Sequence, residues 1–317
     1  MPAMKFRPWM FALAFCAACS SSGSGSGPAA SGSAAPPSSG APAGAAADEK
    51  EEPGVKILQP GAEPRTKLRY QVADGAAETL VVEQTRTDAL VGQKPRTVPP
   101  TRLTVGLAAK GKGATGDWDW SYEVKAATLG GDGKVAGASS AQVQKELQKI
   151  VGVKGTFAVS DRGHVRKVEP VIPPGADPIV TMVAPGLADS IQSAFVALPA
   201  AAVGVGARWE RTFPARQAGI TVNTVATYEV VSMTGDQVKL KTSSRQDAAK
   251  QTVELVPGQK IEMSGYKAET TGEITLGTKR LSPLQSKTET KGSMIMEGLG
   301  KAAKEIKLTI LVDMTGT

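Results

Sequence analysis

Alternation of apolar and polar residues with a period of two runs through most of the chain after residue 55. Such alternation is typical of antiparallel strands that bury one face, and turn dipeptides such as Asp74-Gly75 separate the runs. The run at Trp118, Trp120 and Tyr122 is the clearest, because its other face carries Asp, Ser and Glu. We therefore predict a mainly β (α+β) fold, built as one large curved antiparallel sheet or as two similar sheets, with two covering helices.

Three segments carry local expectations of their own. A strand at 68–72 should form a hairpin with a strand at 78–87 across the Asp74-Gly75 turn. The stretch 88–100 contains three prolines and is predicted to be a loop. A tight hairpin is expected at 156–168, and its turn should leave His164, the only histidine, exposed to solvent.

Helical spacing of apolar residues occurs in two places. Ser139 and Gln142 form a capping box, and apolar residues follow at helical spacing until Gly152 ends the segment. A second helix is predicted over 185–198, with Pro199 as its stop. Both helices should pack one apolar stripe on the sheet.

Two hairpin patterns recur at a spacing of about 117 residues, which indicates an internal duplication. The matching segments are 103–124 with 220–240, and 155–169 with 272–290. The two similar halves would span about 55–170 and 200–317, and together they would form a half-barrel.

The first 18 residues are typical of a secretory signal peptide. Lys5 and Arg7 supply the positive region, a short apolar run follows, and Ala17 and Ala18 are the small residues that precede a cleavage site. The apolar run is much shorter than the roughly 20 residues that a spanning helix needs. We therefore expect export and removal of residues 1–18.

The segment Cys16, Ala17, Ala18, Cys19 resembles the lipobox of bacterial lipoproteins. The resemblance implies acylation of Cys19, with palmitate among the chains, and attachment to the lipid bilayer of the cell envelope. It also implies an outer-membrane location facing the periplasm or the cell surface, because no aspartate lies beside the cysteine. The alternative is an ordinary signal peptide that is cleaved nearby.

Residues 19–54 consist mainly of Ser, Gly, Ala and Pro and end in an acidic stretch. A segment of this composition cannot bury apolar surface, so we predict a disordered linker between Cys19 and a β-rich domain at 55–317. A flexible chain of this length has a root-mean-square reach of roughly 30 to 35 Å.

Composition excludes several classes of function. Cys16 and Cys19 are the only cysteines, so the domain has neither a disulfide nor a thiolate site. The net charge is +7, and without Lys5 and Arg7 it is +5, with no basic run that alternates with aromatic residues. We therefore expect no binding of nucleic acid.

Chemical motifs are sparse, and we predict no enzyme, cofactor or metal. The candidates weighed are a glycine motif in a hairpin loop, an S-x-x-K match, a possible triad and three acidic calcium ligands. In the same order, the residues are Gly111, Gly113 and Gly116 for the glycine motif; Ser264 and Lys267 for the S-x-x-K match; Ser160, Asp161 and His164 for the triad; and Asp117, Asp119 and Asp132 for calcium.

The segment with Leu198, Pro199, Val203, Gly204, Val205, Gly206 and Trp209 resembles a domain-of-unknown-function family of bacterial envelope lipoproteins. That resemblance implies a β-rich fold and no defined activity. We predict a membrane-anchored, non-enzymatic lipoprotein that binds or supports an envelope protein or lipid. The alternatives are a carrier of lipid or lipoprotein and, third, a hydrolase. An incurved sheet could line a ligand with Trp118, Trp120, Tyr122 and Tyr228.

Overall fold

The computed structural model describes residues 51–317, apart from 131–133, 136–137, 218–219, 257–258 and 298–302. The predicted signal peptide, Cys19, the linker up to residue 50 and Asp132 lie outside the described residues.

Thirteen of the fifteen strands in the described residues form one antiparallel sheet, as the period-two alternation predicts. The strands are β1 (Val55–Gln59), β2 (Ala77–Leu90), β3 (Arg96–Lys112), β4 (Trp118–Leu129), β5 (Lys134–Val135), β6 (Ala138–Ser139), β7 (Lys154–Val159), β8 (Val165–Val171), β9 (Arg208–Gln217), β10 (Ile220–Thr234), β11 (Gln237–Ala248), β12 (Gln251–Val256), β13 (Gln259–Gly277), β14 (Gln285–Glu297) and β15 (Lys304–Gly316). The order in the sheet is β1-β9-β10-β11-β13-β14-β15-β2-β3-β4-β7-β8, while β12 pairs with β13.

The prediction of a mainly β, α+β fold with one large antiparallel sheet and two helices is confirmed, and the sheet is not closed. Each half of the chain forms a meander, and pairing of β15 with β2 joins the two meanders into that single sheet. A helix lies between β4 and β7, whereas the short strand β12 lies between β11 and β13. The internal duplication stays a prediction.

The first predicted helix is present as α1 (Ser140–Gln148), where Ser139 accepts a hydrogen bond from the Gln142 amide. The second, α2 (Pro178–Ser193), begins seven residues earlier than predicted. Asp177 caps it by accepting from the Ile179 amide, and Pro178 occupies the first turn, so the start at Pro185 was wrong. The helix ends before residue 195.

Two loop and strand predictions were also wrong. The segment 68–72 buries alternate residues but forms no ladder, because the Tyr70 amide donates to Asp161 O and the Gln71 amide to Thr278 O. The predicted loop at 88–100 is only five residues long, since β2 continues to Leu90 and β3 begins at Arg96. A register shift between β2 and β3 accommodates the prolines there.

Side chains on one face of the sheet, here called the inner face, form the hydrophobic core with the helices and the segment that follows α2. The outer face carries the polar partners of the alternation. A second, smaller core contains Val222, Ile261 and Met263. None of the helices in the described residues is long and apolar enough to cross a membrane.

Candidate functional site

The four aromatic residues predicted to line a ligand are part of the core. Trp120, Tyr122 and Tyr228 are at most 1% exposed, and Trp118 is 8% exposed. Trp120 stacks on Phe157 at a centroid distance of 6.1 Å, while Tyr228 stacks on Trp209 at 5.4 Å. The structure therefore uses these rings to pack the inner face at two separate places, and none of them lines the cavity described below.

A small cavity lies between the end of α2 and the inner face of β13, β14 and β15. Its lining includes Phe195, Ile274, Ser286, Thr288 and Met314. The volume is about 20 Å³, which suffices for about one water molecule. An acyl chain would fit here only after the segment at Phe195 had moved.

A group of ionisable residues, most of them buried, lies where the two ends of the strand order meet. We call it the seam cluster, and it consists of Glu51, Glu52, Asp117, Arg162, His164, Arg166 and Arg211. Among the described residues, no backbone ladder joins β8, the last strand, to β1 or β9 at the other end. Side chains of this cluster bridge the gap instead.

The sequence Glu52-Pro53-Gly54-Val55 forms a tight turn that positions the Glu52 carboxylate. The Val55 amide donates to Glu52 O at 3.0 Å, and Gly54 has a φ of +80°. This is the type II pattern, with proline second and glycine third. A Cβ atom on Gly54 would lie 2.2 Å from Thr212 O, so only glycine fits between β1 and β9 here.

The β7–β8 turn places the basic side of the cluster. Gly163 has a φ of +79°, and a Cβ atom there would lie 2.4 Å from Val196 O. Ser160 Oγ accepts hydrogen bonds from the Arg162 and His164 amides at 3.3 and 3.2 Å. This compact turn directs Arg162 and His164 inward, beneath the segment that follows α2.

Glu52 is the centre of the cluster, with an exposure of 5%. Its carboxylate lies 3.3 Å from the Arg162 guanidinium and 3.4 Å from that of Arg166. Arg166 also contacts Asp117 at 2.7 Å. Glu51 accepts from the Ala200 amide at 2.9 Å and lies 3.9 Å from Arg162. Each of the three carboxylates thus contacts Arg162 or Arg166, and the cluster contains as many arginines as carboxylates.

His164 is 3% exposed, so the expectation of an exposed turn histidine was wrong. Burial, together with the charges of Arg211 and Arg166, lowers the pKa of His164 to about 4. The ring is therefore neutral at pH 7. Arg211 lies 3.3 Å from Nδ1, and since an arginine can only donate, the ring proton is assigned to Nε2.

The candidate catalytic residues do not assemble a triad. Ser160 Oγ is occupied by two backbone amides, and Asp161 pairs with Arg69 at 3.5 Å on the surface. Ser264 and Lys267 lie on β13, where Gly265 with a φ of +61° interrupts the strand. The S-x-x-K spacing therefore lacks the helical turn that would bring the two side chains together.

The glycines of the G-x-G-x-x-G match lie at the β3–β4 hairpin, which no helix follows. Of the proposed calcium ligands, Asp117 is held by Arg166 and Asp119 faces outward on β4. Among the described residues, no group of three or more His, Cys, Asp or Glu side chains is arranged to hold a metal ion.

Sequence reasoning missed the seam cluster as a site, although a signal was present. Arg211 lies between Trp209 and Phe213 in the period-two pattern, so the alternation itself points an arginine inward. A buried arginine requires a partner that carries negative charge. Arg162, His164 and Arg166 also follow one another at a spacing of two around the β7–β8 turn.

The outer face shows a contrasting arrangement of charge. Eight strands contribute one charged residue each to a single cross-strand row, which we call the outer row: Arg208, Glu229, Lys241, Glu273, Lys287, Asp313, Glu83 and Arg102. The signs alternate everywhere except between Asp313 and Glu83. All eight side chains are exposed or half-buried, so this row presents a hydrated, charged surface.

Comparisons with known proteins assign the chain to no family. No family model matches the chain, and no curated protein matches it. Among solved structures, the chain is similar to DynF from the dynemicin biosynthesis pathway of Micromonospora chersina, with 9% identity over 83% of this chain and 90% of that chain. The TM-score is 0.20, and a likeness this slight supports no argument about function.

Proposed function

We propose that the chain is a lipid-anchored protein of the bacterial cell envelope, and that its β domain binds or supports another envelope component without catalysis. The observation that carries the proposal is the pair Cys16 and Cys19, the only cysteines, within a lipobox-like segment. Two or more acyl chains on Cys19 would give lasting membrane attachment, because one chain alone binds only marginally.

The domain offers features that suit a binding role better than a chemical one. Each carboxylate of the seam cluster contacts an arginine, and the one histidine is buried and neutral. The cavity beside Phe195 has room for about one water. The outer row presents a hydrated, charged surface, which suits a polar partner better than an apolar one.

The anchor is tested by Cys19→Ser in the native bacterium, with labelled palmitate and membrane fractionation as readouts. We expect loss of the label and release of the domain from the membrane, whereas Cys16→Ser should keep both. Retained label and membrane attachment in Cys19→Ser would overturn the anchor.

The binding role is tested by crosslinking in cells, followed by purification of the crosslinked chain. Specific envelope proteins should be recovered with the wild type and lost when the domain is unfolded. Recovery of bound lipid alone, seen by mass spectrometry of the unanchored domain, would favour the carrier role. Recovery of neither would contradict both.

A further inference from the structure

Residues 51–59, here called the strap, enter the domain directly after the predicted linker. Their strand, β1, is a five-residue edge strand that, within the described part of the chain, pairs only with β9. Of its side chains, Val55 is buried and Ile57 is half-buried, while Leu58 is 44% exposed. The apolar contact between the strap and the domain is therefore small, and the strap depends on its polar contacts more than an interior strand does.

Those polar contacts are concentrated at the two adjacent carboxylates. Glu51 accepts a hydrogen bond from the Ala200 amide, and Glu52 forms ion pairs with the guanidinium groups of Arg162 and Arg166. Charge-assisted bonds of this kind are stronger and more directional than neutral ones. Arg162 is 8% exposed and Glu52 is 5% exposed, so solvent screens their attraction little.

The groups that bind Glu51 and Glu52 belong to parts of the fold that are far from the strap in sequence. Arg162 and Arg166 belong to the β7–β8 hairpin at one end of the strand order, while β1 and β9 form the other end. The strap therefore ties together two sheet edges that no ladder in the described residues connects. Its release would remove the two carboxylates that contact Arg162 and would expose the edge of β9.

We infer that this arginine-lined seam is a binding site for an extended acidic peptide, two adjacent carboxylates followed by a β-strand, and that the strap occupies it in cis. The mode is strand addition to a sheet edge, with the carboxylate pair fixing the register. The inference goes beyond the proposed function and does not depend on acylation, since all the groups that it uses belong to the domain.

The first test uses the chain with Cys19→Ser and compares E51Q/E52Q with the control D48N/E49Q, which removes two carboxylates just upstream. Hydrogen exchange is measured at the amides of β1 and, as a reference, of β13 and β14. We expect exchange in β1 to become at least tenfold faster in E51Q/E52Q only, with the reference strands unchanged. Equal exchange in β1 of both variants would overturn the inference.

The second test adds the peptide DEKEEPGVKILQ, residues 48–59, in trans to E51Q/E52Q. Saturable binding and recovered protection of the β9 edge are expected, and a peptide with Gln at both positions 51 and 52 should bind at least tenfold more weakly. Wild-type chain should bind the acidic peptide more weakly than the variant does, because its own strap competes at high effective concentration. Equal affinity for the two peptides, or no binding up to 1 mM, would contradict a carboxylate-pair site.

If E51Q/E52Q fails to fold, Arg166→Gln gives the same comparison, since the Arg166 side chain is 46% exposed and contacts Glu52 from the edge of the cluster. The control is then Lys167→Gln, whose side chain is 73% exposed and pairs with Glu169. Faster exchange of β1 in Arg166→Gln alone supports the inference, and equal exchange in both opposes it.

Discussion

The seam cluster and the outer row use the same kinds of side chain in opposite surroundings. In the cluster, Glu52 and Arg162 are less than a tenth exposed and each meets several partners. In the outer row, Lys287 and Asp313 lie 3.4 Å apart but are 65% and 46% exposed. Water and salt weaken the second kind of pair, so exposed pairs contribute roughly 0 to 1 kcal/mol.

The difference shows what determines the role of an ion pair in this fold. A buried charge that loses its partner remains desolvated, and the penalty is typically about 3 to 5 kcal/mol. An exposed charge that loses its partner regains water. The cluster should therefore specify how the sheet edges meet, whereas the outer row should chiefly keep the outer face hydrated and resistant to stacking on another sheet.

The largest expected effect comes from removing one buried cation. Arg162→Met keeps most of the side-chain volume but leaves Glu51 and Glu52 with fewer partners, so we expect the free energy of unfolding to fall by about 3 kcal/mol. The matched substitution Arg102→Met in the outer row should change it by about 0.5 kcal/mol or less. Urea unfolding of both variants measures the difference, and equal losses would remove the distinction between the two regions.

Backbone geometry at the strap gives the next largest effect. Gly54→Ala combines a positive φ with a contact of 2.2 Å between the new Cβ atom and Thr212 O, so we expect a loss of about 2 to 3 kcal/mol. Gly75→Ala is the control, because it has a φ of +72° and nothing within 4 Å of its Cβ position. Its loss should be about 1 kcal/mol, and thermal unfolding of both variants tests the ratio.

The pH dependence of stability separates the regions further. The pKa of His164 is about 4 in the folded chain and about 6.5 in an unfolded one. Between these values the unfolded state binds more protons, so stability should fall as the pH is lowered from 6.5 towards 4. Below pH 4 the residue is protonated in both states, and it contributes no further loss.

His164→Gln is the variant that tests this slope. The difference in stability between wild type and His164→Gln should shift by up to about 1.4 kcal/mol for each pH unit between pH 6.5 and 5. In the outer row, the hydrogen bond from Lys239 lowers the pKa of Glu273 below its ordinary value. Protonation of Glu273 therefore affects stability only at a more acidic pH than protonation of His164. If the difference in stability between wild type and His164→Gln is the same at pH 7 and at pH 5, the imidazole ring of His164 is not held neutral by burial.

Much of the sheet could be predicted because strand alternation is a local property. The runs through Trp120 and Tyr228 and the cap at Ser139 need only neighbouring residues for their interpretation. The predicted start of α2 at Pro185 followed from the apolar stripe. The actual start is set by the cap at Asp177 and by Pro178 in the first turn, which lie upstream of that stripe. Helix ends depend on such single caps more than on periodicity.

The seam cluster could not be predicted in full, because its partners are far apart in the sequence. Glu52 contacts Arg162 across 110 positions, and His164 contacts Arg211 across 47. No local pattern encodes those pairings. What the sequence does contain is the inward position of Arg211, which predicts a buried countercharge without identifying it.

The smallest expected effect is in the outer row itself. Lys287→Glu would place acidic residues on four neighbouring strands, because Glu273, Asp313 and Glu83 occupy adjacent positions of the row. Like charges directly opposite one another destabilise a sheet, and we expect a loss of about 0.5 kcal/mol in low salt. Since these side chains are exposed, 1 M NaCl should recover most of that loss.

The control for the salt effect is Arg162→Met, whose loss should persist in 1 M NaCl because Arg162 and its nearer partner Glu52 are buried. Urea unfolding at low and high salt therefore distinguishes the two regions by screening alone. A loss in Lys287→Glu that salt leaves unchanged would mean that Lys287 contributes through packing of its aliphatic stem on the sheet, and the outer row would then share the structural role of the seam cluster.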